Sequence, residues 1–345
     1  MSDRDQLTKG PATEERLRNY FLGVGYFVLR GAKFKYNDFD VTDIDLWLYG
    51  LNSPLSRERV NVDIKDKKTP QALERIFWAK GLQDVLGLDA CVVATTDARP
   101  DVREFGLKHD VRVLDGHFVS RLKRSEKSQL QRLTEEEFVR FIDDSSLGKL
   151  GGDWRGRYEQ SKSRVLDSLD FDGCNAWLMD IEYFLKEASS MGLKDPSAWR
   201  LAYISCSLFL ISLDFLLRDY VTLEQDERRA VLENGFRYGK AGRTFVEKIG
   251  KVAAGLVASV ASQPGLRETL ERELATQAGD LRADILADFF SRNVSQTALF
   301  DAAREFEAGA FALEFQSPSR LSTAAQSVLG VLCDFFGLDR KRVLV

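Results

Sequence analysis

Two short stretches decide the fold: Val41-Thr42-Asp43-Ile44-Asp45-Leu46-Trp47-Leu48-Tyr49 and Arg59-Val60-Asn61-Val62-Asp63-Ile64-Lys65. Both alternate with the period of two that a β-strand imposes, because successive side chains point to opposite faces of a sheet. In the first, Ile44, Leu46 and Leu48 form one face and Asp43, Asp45, Trp47 and Tyr49 the other. In the second, Val60, Val62 and Ile64 oppose Asn61, Asp63 and Lys65. Between them, Gly50 to Glu58 carries Asn52, Ser53 and Pro54, so the pair is expected to fold as an antiparallel hairpin.

Upstream, Thr13-Glu14-Glu15-Arg16-Leu17 opens a helix whose apolar positions Leu17, Tyr20, Phe21 and Val24 recur at three and four, until Gly25 ends it. A short strand, Tyr26 to Leu29, follows. Downstream the pattern predicts a helix from Gln71 to Leu86, a buried strand Ala90 to Ala94, a helix Pro100 to Lys108 and a strand Val111 to Leu114. The order is αβββαβαβ. After Tyr158 only helical periodicity remains, as in Trp177, Ile181, Phe184 and Leu185, or Leu232, Phe236, Phe245 and Ile249. Breaks at Gly192 to Pro196, Gly235 to Gly242, Pro264-Gly265, Gly279 and Pro318 predict about seven helices in a bundle. An α/β domain over residues 1 to 120 and an all-α helical domain over 158 to 345 are therefore expected. The connector between them, 121 to 157, holds Arg121, Lys123, Arg124 and Lys127, a short helix from Glu135 to Ile142, and a glycine-containing stretch from Leu147 to Asp153.

Composition bounds the function. With 345 residues, 44% hydrophobic and 30% charged, the chain is globular rather than disordered or fibrous. Forty-nine Lys and Arg against 53 Asp and Glu leave a net charge of −4, which excludes nucleic-acid binding by bulk charge, so any basic site is local. Cys91, Cys174, Cys206 and Cys333 contain no CxxC pair, and His109 and His117 are the only histidines, which gives no support to a zinc centre. Reduced, buried thiols and a polar Met1 to Pro11 without an export signal point to the cytoplasm. Leu201 to Leu217 is the most apolar window, but Ser205, Ser207, Ser212 and Asp214 interrupt it, and a buried helix is expected with no membrane partner. Gly148 to Gly156 lacks the spacing and the preceding strand of a phosphate-binding loop.

The chemistry gathers where the two strands put polar side chains on one face. Asp63 and Lys65 share it, and a hairpin partner brings Asp45 alongside. Two carboxylates suit Mg²⁺, which takes one or two of them together with waters and substrate phosphate, with Mn²⁺ as a substitute. Lys65 then offsets charge developing in a phosphoryl transition state or positions water. The competing account is a solvated hairpin face on which opposite charges simply pair.

This constellation resembles the PD-(D/E)xK nuclease superfamily, whose core is a helix, a three-stranded meander bearing acidic residues and a lysine, then a helix and a further strand. Asp43-Ile44-Asp45-Leu46 looks like its first acidic strand and Val62-Asp63-Ile64-Lys65 its (D/E)xK strand. The likeness is nearest to Mrr-type restriction endonucleases and covers residues 10 to 120. Glu14, ahead of Gly25-Tyr26, occupies the place of their helix glutamate, and Val92-Val93-Ala94-Thr95-Thr96, Phe105 and Val111 to Gly116 are similar to their later strands and helix. Two departures are the approach Asp38-Phe39-Asp40-Val41-Thr42, which lacks glycines, and Asp63 where glutamate or glutamine is frequent. The resemblance implies a restriction-endonuclease-like fold and a Mg²⁺-dependent endonuclease acting on DNA in prokaryotic defence or DNA processing. It implies Asp45, Asp63, Lys65 and Glu14 as catalytic residues, with Asp45, Asp63 and the backbone carbonyl of Ile64 as metal ligands.

Glu14 has two readings, a third oxygen near the metal or a charge favouring its helix N-terminus beside Thr13, and Glu15 competes for the first role. Lys67 and Lys68 are candidates for a phosphate backbone or are simply solvated. Gln71 is a candidate hydrogen-bonding group or a surface side chain. Trp154, Arg155, Arg157 and Tyr158 offer aromatic and cationic groups of the kind used against nucleic acid. Ala253 to Ser262 packs small residues that suit close helix contacts, within the chain or in a homodimer through the helical domain. A nuclease of this kind also calls for restraint, hence a protein activator. The alternative to an enzyme is an inactive nuclease-like fold that binds nucleic acid or protein, and RNA is as open as DNA.

Overall fold

The computed structural model describes residues 8–37, 39–124, 132–145, 152–192, 195–261 and 265–344. Lys127, the glycine stretch from 147 through 151 and Pro264 lie outside the described residues, as do the first seven residues and Asp38. Contacts divide the chain into two compact units: Met1–Asp167 with Asp195–Ile204 and Glu307–Phe315, and Ser168–Lys194 with Ser205–Phe306 and Gln316–Val345. The division falls at other places than the change in sequence texture. The described parts of the expected connector belong with the sheet, and so do two short pieces of the helical half.

In the first unit, α1 (Lys9–Gly23) leads into β1 (Phe27–Tyr36), β2 (Phe39–Ser53) and β3 (Ser56–Lys65). Then come α2 (Ala72–Leu86), β4 (Ala90–Thr95), α3 (Pro100–Lys108), β5 (Val111–Leu114) and α4 (Gly116–Arg124). The predicted order is present, and the hairpin is antiparallel with Leu46 opposite Val62 and Trp47 opposite Asn61. The strands form one sheet in chain order, antiparallel through β1, β2 and β3 and parallel through β3, β4 and β5. Strands β2 and β3 run further toward their shared turn than expected, because Leu51 to Ser53 and Ser56 to Glu58 keep pairing where turn-forming residues suggested a loop.

Over Leu46 to Gly50 and Val60 to Ile64 neither face of the hairpin is solvated. Leu46, Leu48, Val60, Val62 and Ile64 pack with Leu17 and Phe21 of α1, while Cys91, Val93 and Val111 pack under Ala72, Ile76 and Ala79 of α2 and Val102 of α3. Trp47, Tyr49 and Asn61, on the face expected to be polar, are fully buried. Helices therefore cover both faces of the sheet, an arrangement that parallel crossovers favour. Two further helices of this unit are α5 (Glu135–Asp144), opened by a Thr134–Glu137 capping box, and α6 (Trp154–Ser163), which packs on β1. Trp154 and Tyr158 are interior, so they do not form the aromatic surface that their pattern suggested; Tyr158 Oη donates to Glu135 at 2.7 Å.

The second unit is helical. Its helices are α7 (Phe171–Met191), the latter parts of α8 (Ser197–Leu217) and the first part of α13 (Asn293–Phe311), with α9 (Gln225–Tyr238), α10 (Gly242–Ala261), α11 (Leu266–Asp280), α12 (Ala283–Phe290), α14 (Thr323–Phe336) and α15 (Arg340–Val343). Phe171, Phe209, Phe236 and Phe290 meet ring to ring in its core. The apolar run around α8, Ser197–Tyr220, is the one described helix long and apolar enough to cross a membrane, and its most apolar stretch is almost wholly buried. Phe245 and Ile249 depart from the expected core: Leu232 and Phe236 are buried, but these two lie exposed on α10. All four cysteines are free and buried, and burial raises every thiol: to about 11 for Cys91 and Cys333, to about 12 for Cys174, and upward for Cys206.

Candidate functional site

Asp45 sits where the sheet's ladders pause. Pairing of β2 with β3 runs to Leu46 and Val62, and the next step would set Asp45 opposite Asp63. Instead the Ile64 N–H donates to Asp45 Oδ2 at 2.6 Å. On the other side, β1 pairs Arg30 with Leu46 and Ala32 with Ile44, and Gly31 between them has φ +66°, a left-handed conformation that suits glycine. The carboxylate thus turns into the gap where β2 and β3 part, with the residue of the expected carbonyl ligand, Ile64, beside it.

Charge accumulates there without full compensation. Burial pushes the Asp45 carboxyl up to about 6; the Ile64 N–H and, more weakly, Lys65 oppose the rise, while the fields of Asp63 and Glu14 add to it. Asp63, Glu14 and Lys65 are thus each brought within electrostatic reach of Asp45. Glu14 lies inside α1, and its Oε2 accepts from Arg30 Nε at 2.8 Å. Glu15 is turned away: it is fully buried, accepting from Arg30 at 2.8 Å and from the Glu135 N–H at 2.9 Å. Thr13 is no cap for this helix, which starts at Lys9; its hydroxyl donates to Asp66 at 2.6 Å.

Arg75 of α2 is the group that strand spacing did not reveal. Its Nε donates to Asp63 Oδ2 at 2.8 Å and its NH2 to Asp63 Oδ1, a two-pronged clamp on a carboxylate that is 8% exposed. Burial works against the guanidinium charge, and Asp63 and Asp45 more than restore it. A signal existed: Ala72, Ile76 and Ala79 mark the buried stripe of α2, and position 75 falls on the same side.

Lys67 and Lys68 follow β3 in the exposed loop, where the Lys67 carbonyl accepts from Thr96 Oγ1 at 2.6 Å. Lys123 of α4 reaches the same place and pairs with Asp66 at 2.6 Å. Gln71 is exposed, with φ +47°, at the entry to α2. His109 packs on Phe105, 4.6 Å between rings, and His117 is exposed on α4.

No family model, curated protein or solved structure matches this chain. Carboxylate oxygens are the donors that a divalent cation of the Mg²⁺ kind takes, but among the described residues no group of three His, Cys, Asp or Glu side chains is gathered closely enough to hold a metal ion: Glu14 is engaged by Arg30 and Asp63 by Arg75. Arg75 is a resident competitor for Asp63.

Proposed function

We propose that this protein is a metal-dependent nuclease with a restriction-endonuclease-like α/β unit, hydrolysing phosphodiester bonds, with DNA as the substrate, in a prokaryotic defence or DNA-processing role in the cytoplasm. One observation carries the reading: the part-buried Asp45 carboxylate sits where β2 and β3 part, accepting from the Ile64 N–H at 2.6 Å, next to the strand positions of Asp63 and Lys65. Asp45, Asp63, Glu14 and the Ile64 carbonyl are the groups that would hold the ion. Mg²⁺ or Mn²⁺ would supply charge neutralisation at the phosphoryl oxygens and a water of lowered pKa. Lys65 offsets negative charge developing on the phosphate, and Lys67 and Lys68 hold the backbone of the nucleic acid outside the sheet.

The Arg75 clamp supports a second reading, a nuclease-like fold in which an internal guanidinium has replaced the metal and which serves for binding. Cleavage of duplex DNA, single-stranded DNA and RNA with Mg²⁺, Mn²⁺ or EDTA, together with calorimetry of metal binding, separates the two. The nuclease reading expects metal-dependent cutting that falls at least about a hundredfold in Asp45→Asn and Lys65→Ala. Uncut substrates together with no heat of metal binding, with or without nucleic acid, would leave the binding module. Cutting that survives in both variants would remove the site assignment.

A further inference from the structure

Of the five tryptophans, Trp47, Trp154, Trp177 and Trp199 are buried, whereas Trp78 of α2 is 46% exposed. The one aromatic or cationic partner of its ring among the described residues is Arg75, whose guanidinium lies over it at 5.6 Å. At 100° per residue, Trp78 stands about 60° from Arg75 on the side away from the buried stripe of Ala72, Ile76 and Ala79. Gly81 follows one turn on, inside the helix, where glycine is a poor helix former; a Cβ built there meets nothing within 4 Å. No described neighbour needs that glycine, and it leaves the flank of the ring open. Phe77 is also exposed, but it already meets the Phe105 ring of α3 edge-on at 5.5 Å.

The group beside the ring says what the ring is for. Arg75 spends its Nε–H and one N–H of NH2 on Asp63. A guanidinium has five N–H donors, so three remain, with no other hydrogen-bond partner among the described residues, on a side chain that is 23% exposed. An open aromatic face next to unspent guanidinium donors matches a nucleotide, the base on the ring and the phosphate on the fork. An apolar partner would leave those donors unused. Exposed Glu74, one turn before Trp78 on the side away from Arg75, repels a phosphate there but not a neutral base, which sets the same polarity. In a duplex the face of each base is covered by its neighbours, so the ring suits a base that is out of the stack. We infer that Trp78 is a stacking platform for an unpaired base of a single-stranded nucleic acid, one of whose phosphates Arg75 holds beside Asp63. The inference rests on the proposed nucleic-acid chemistry of this site and narrows its substrate to single strands.

Binding to the full-length chain in EDTA, where metal-dependent cleavage plays no part, tests it through Trp78 emission. Oligothymidylate is expected to quench that emission and shield it from iodide, and a blunt DNA duplex to bind at least about tenfold more weakly. Trp78→Phe should abolish the iodide-sensitive emission, which assigns the signal. By anisotropy of a labelled strand, Trp78→Leu, which keeps apolar bulk without a π face, should bind roughly 5- to 150-fold more weakly, with Trp78→Phe between it and the wild type. Gly81→Leu, which fills the flank of the ring at an exposed helix position, should weaken binding with an unchanged circular dichroism spectrum. Arg75→Gln should lower the slope of log affinity against log salt by about 0.7, one phosphate of a single strand, while Trp78→Leu leaves the slope unchanged. Wild-type affinity in Trp78→Leu, strands that leave the emission unmoved, or a duplex bound as tightly as a single strand each overturn the inference. Metal-dependent cutting of duplex DNA alongside any of these leaves the nuclease reading standing without the platform. Single-strand binding through Trp78 with no cutting under any metal sustains the platform while the nuclease reading falls. No binding of any strand overturns the inference, whether or not a protein then covers the ring.

Discussion

The first unit contains one buried and one part-buried ionic centre, and they solve the same problem oppositely. Around Arg18, charge is matched: its guanidinium meets Glu307 at 2.9 Å and Glu135 at 3.5 Å, Lys162 adds 2.7 Å to Glu135, Arg132 joins Glu307, and Arg18 lies 4.0 Å above the Phe311 ring. Burial tends to raise Glu135 and Glu307, but Lys162, Arg132 and Arg18 outweigh it and hold both carboxyls below the ordinary range. Around Asp45 the balance runs the other way. Asp45 is less deeply buried than Glu135 and Glu307, yet its carboxyl is raised where theirs are lowered, because it has weaker local compensation than the internal brace around Arg18.

The widest test of that contrast is to break the matched centre. Arg18→Ala leaves Glu15, Glu135 and Glu307 short of a partner and is expected to cost about 3–5 kcal/mol, read from urea unfolding. A cost near zero would mean that Arg132 and Lys162 suffice.

The opposite sign is expected at Asp45. A carboxyl raised from 3.8 to about 6 favours the protonated form in the folded chain. Its contribution is full below pH 3.8 and is lost as the pH rises through 6. Asp45→Asn should therefore be more stable than the wild type by roughly 2 kcal/mol at about pH 8, with the gap closing at about pH 4. Unfolding curves at both pH values check it, and added Mg²⁺ should narrow the gap at the higher one by stabilising the wild type alone.

The smallest effect sharpens the role of Arg75. Arg75→Ala leaves Asp63 uncompensated, so Mg²⁺ should bind about tenfold more tightly, equivalent to about 1.4 kcal/mol. Even without metal the Asp45 titration midpoint, followed by carboxyl NMR, should move further up. An unmoved midpoint would show that the guanidinium is too well solvated to matter.

Much of this was legible in the chain. Pro100–Lys108 and Val111–Leu114 lie where periodicity set them, because each is short, strongly patterned and bounded by Pro100, Asp110 or Gly116. Asp45, Asp63 and Lys65 were legible as one face because a strand's period is fixed by geometry. The rest depended on contacts between distant segments. Alternation in β2 and β3 suggested one wet face, since it carries no information on whether a helix will cover the other. Trp154 and Tyr158 looked like surface aromatics among arginines, yet α6 docks on β1 and buries them. Arg75 was hidden for a related reason: an arginine on a helix is usually solvated, and only the Ala72, Ile76 and Ala79 stripe aims it at the sheet.

The buried thiols have a practical consequence. At neutral pH none of the four is a nucleophile in the closed fold, so an alkylating reagent reads only excursions in which a cysteine is uncovered. Cys91 belongs to the sheet unit and Cys174, Cys206 and Cys333 to the helical one. Peptide masses collected over time after reagent addition would therefore give two independent clocks, one for the breathing of each unit, without any added label.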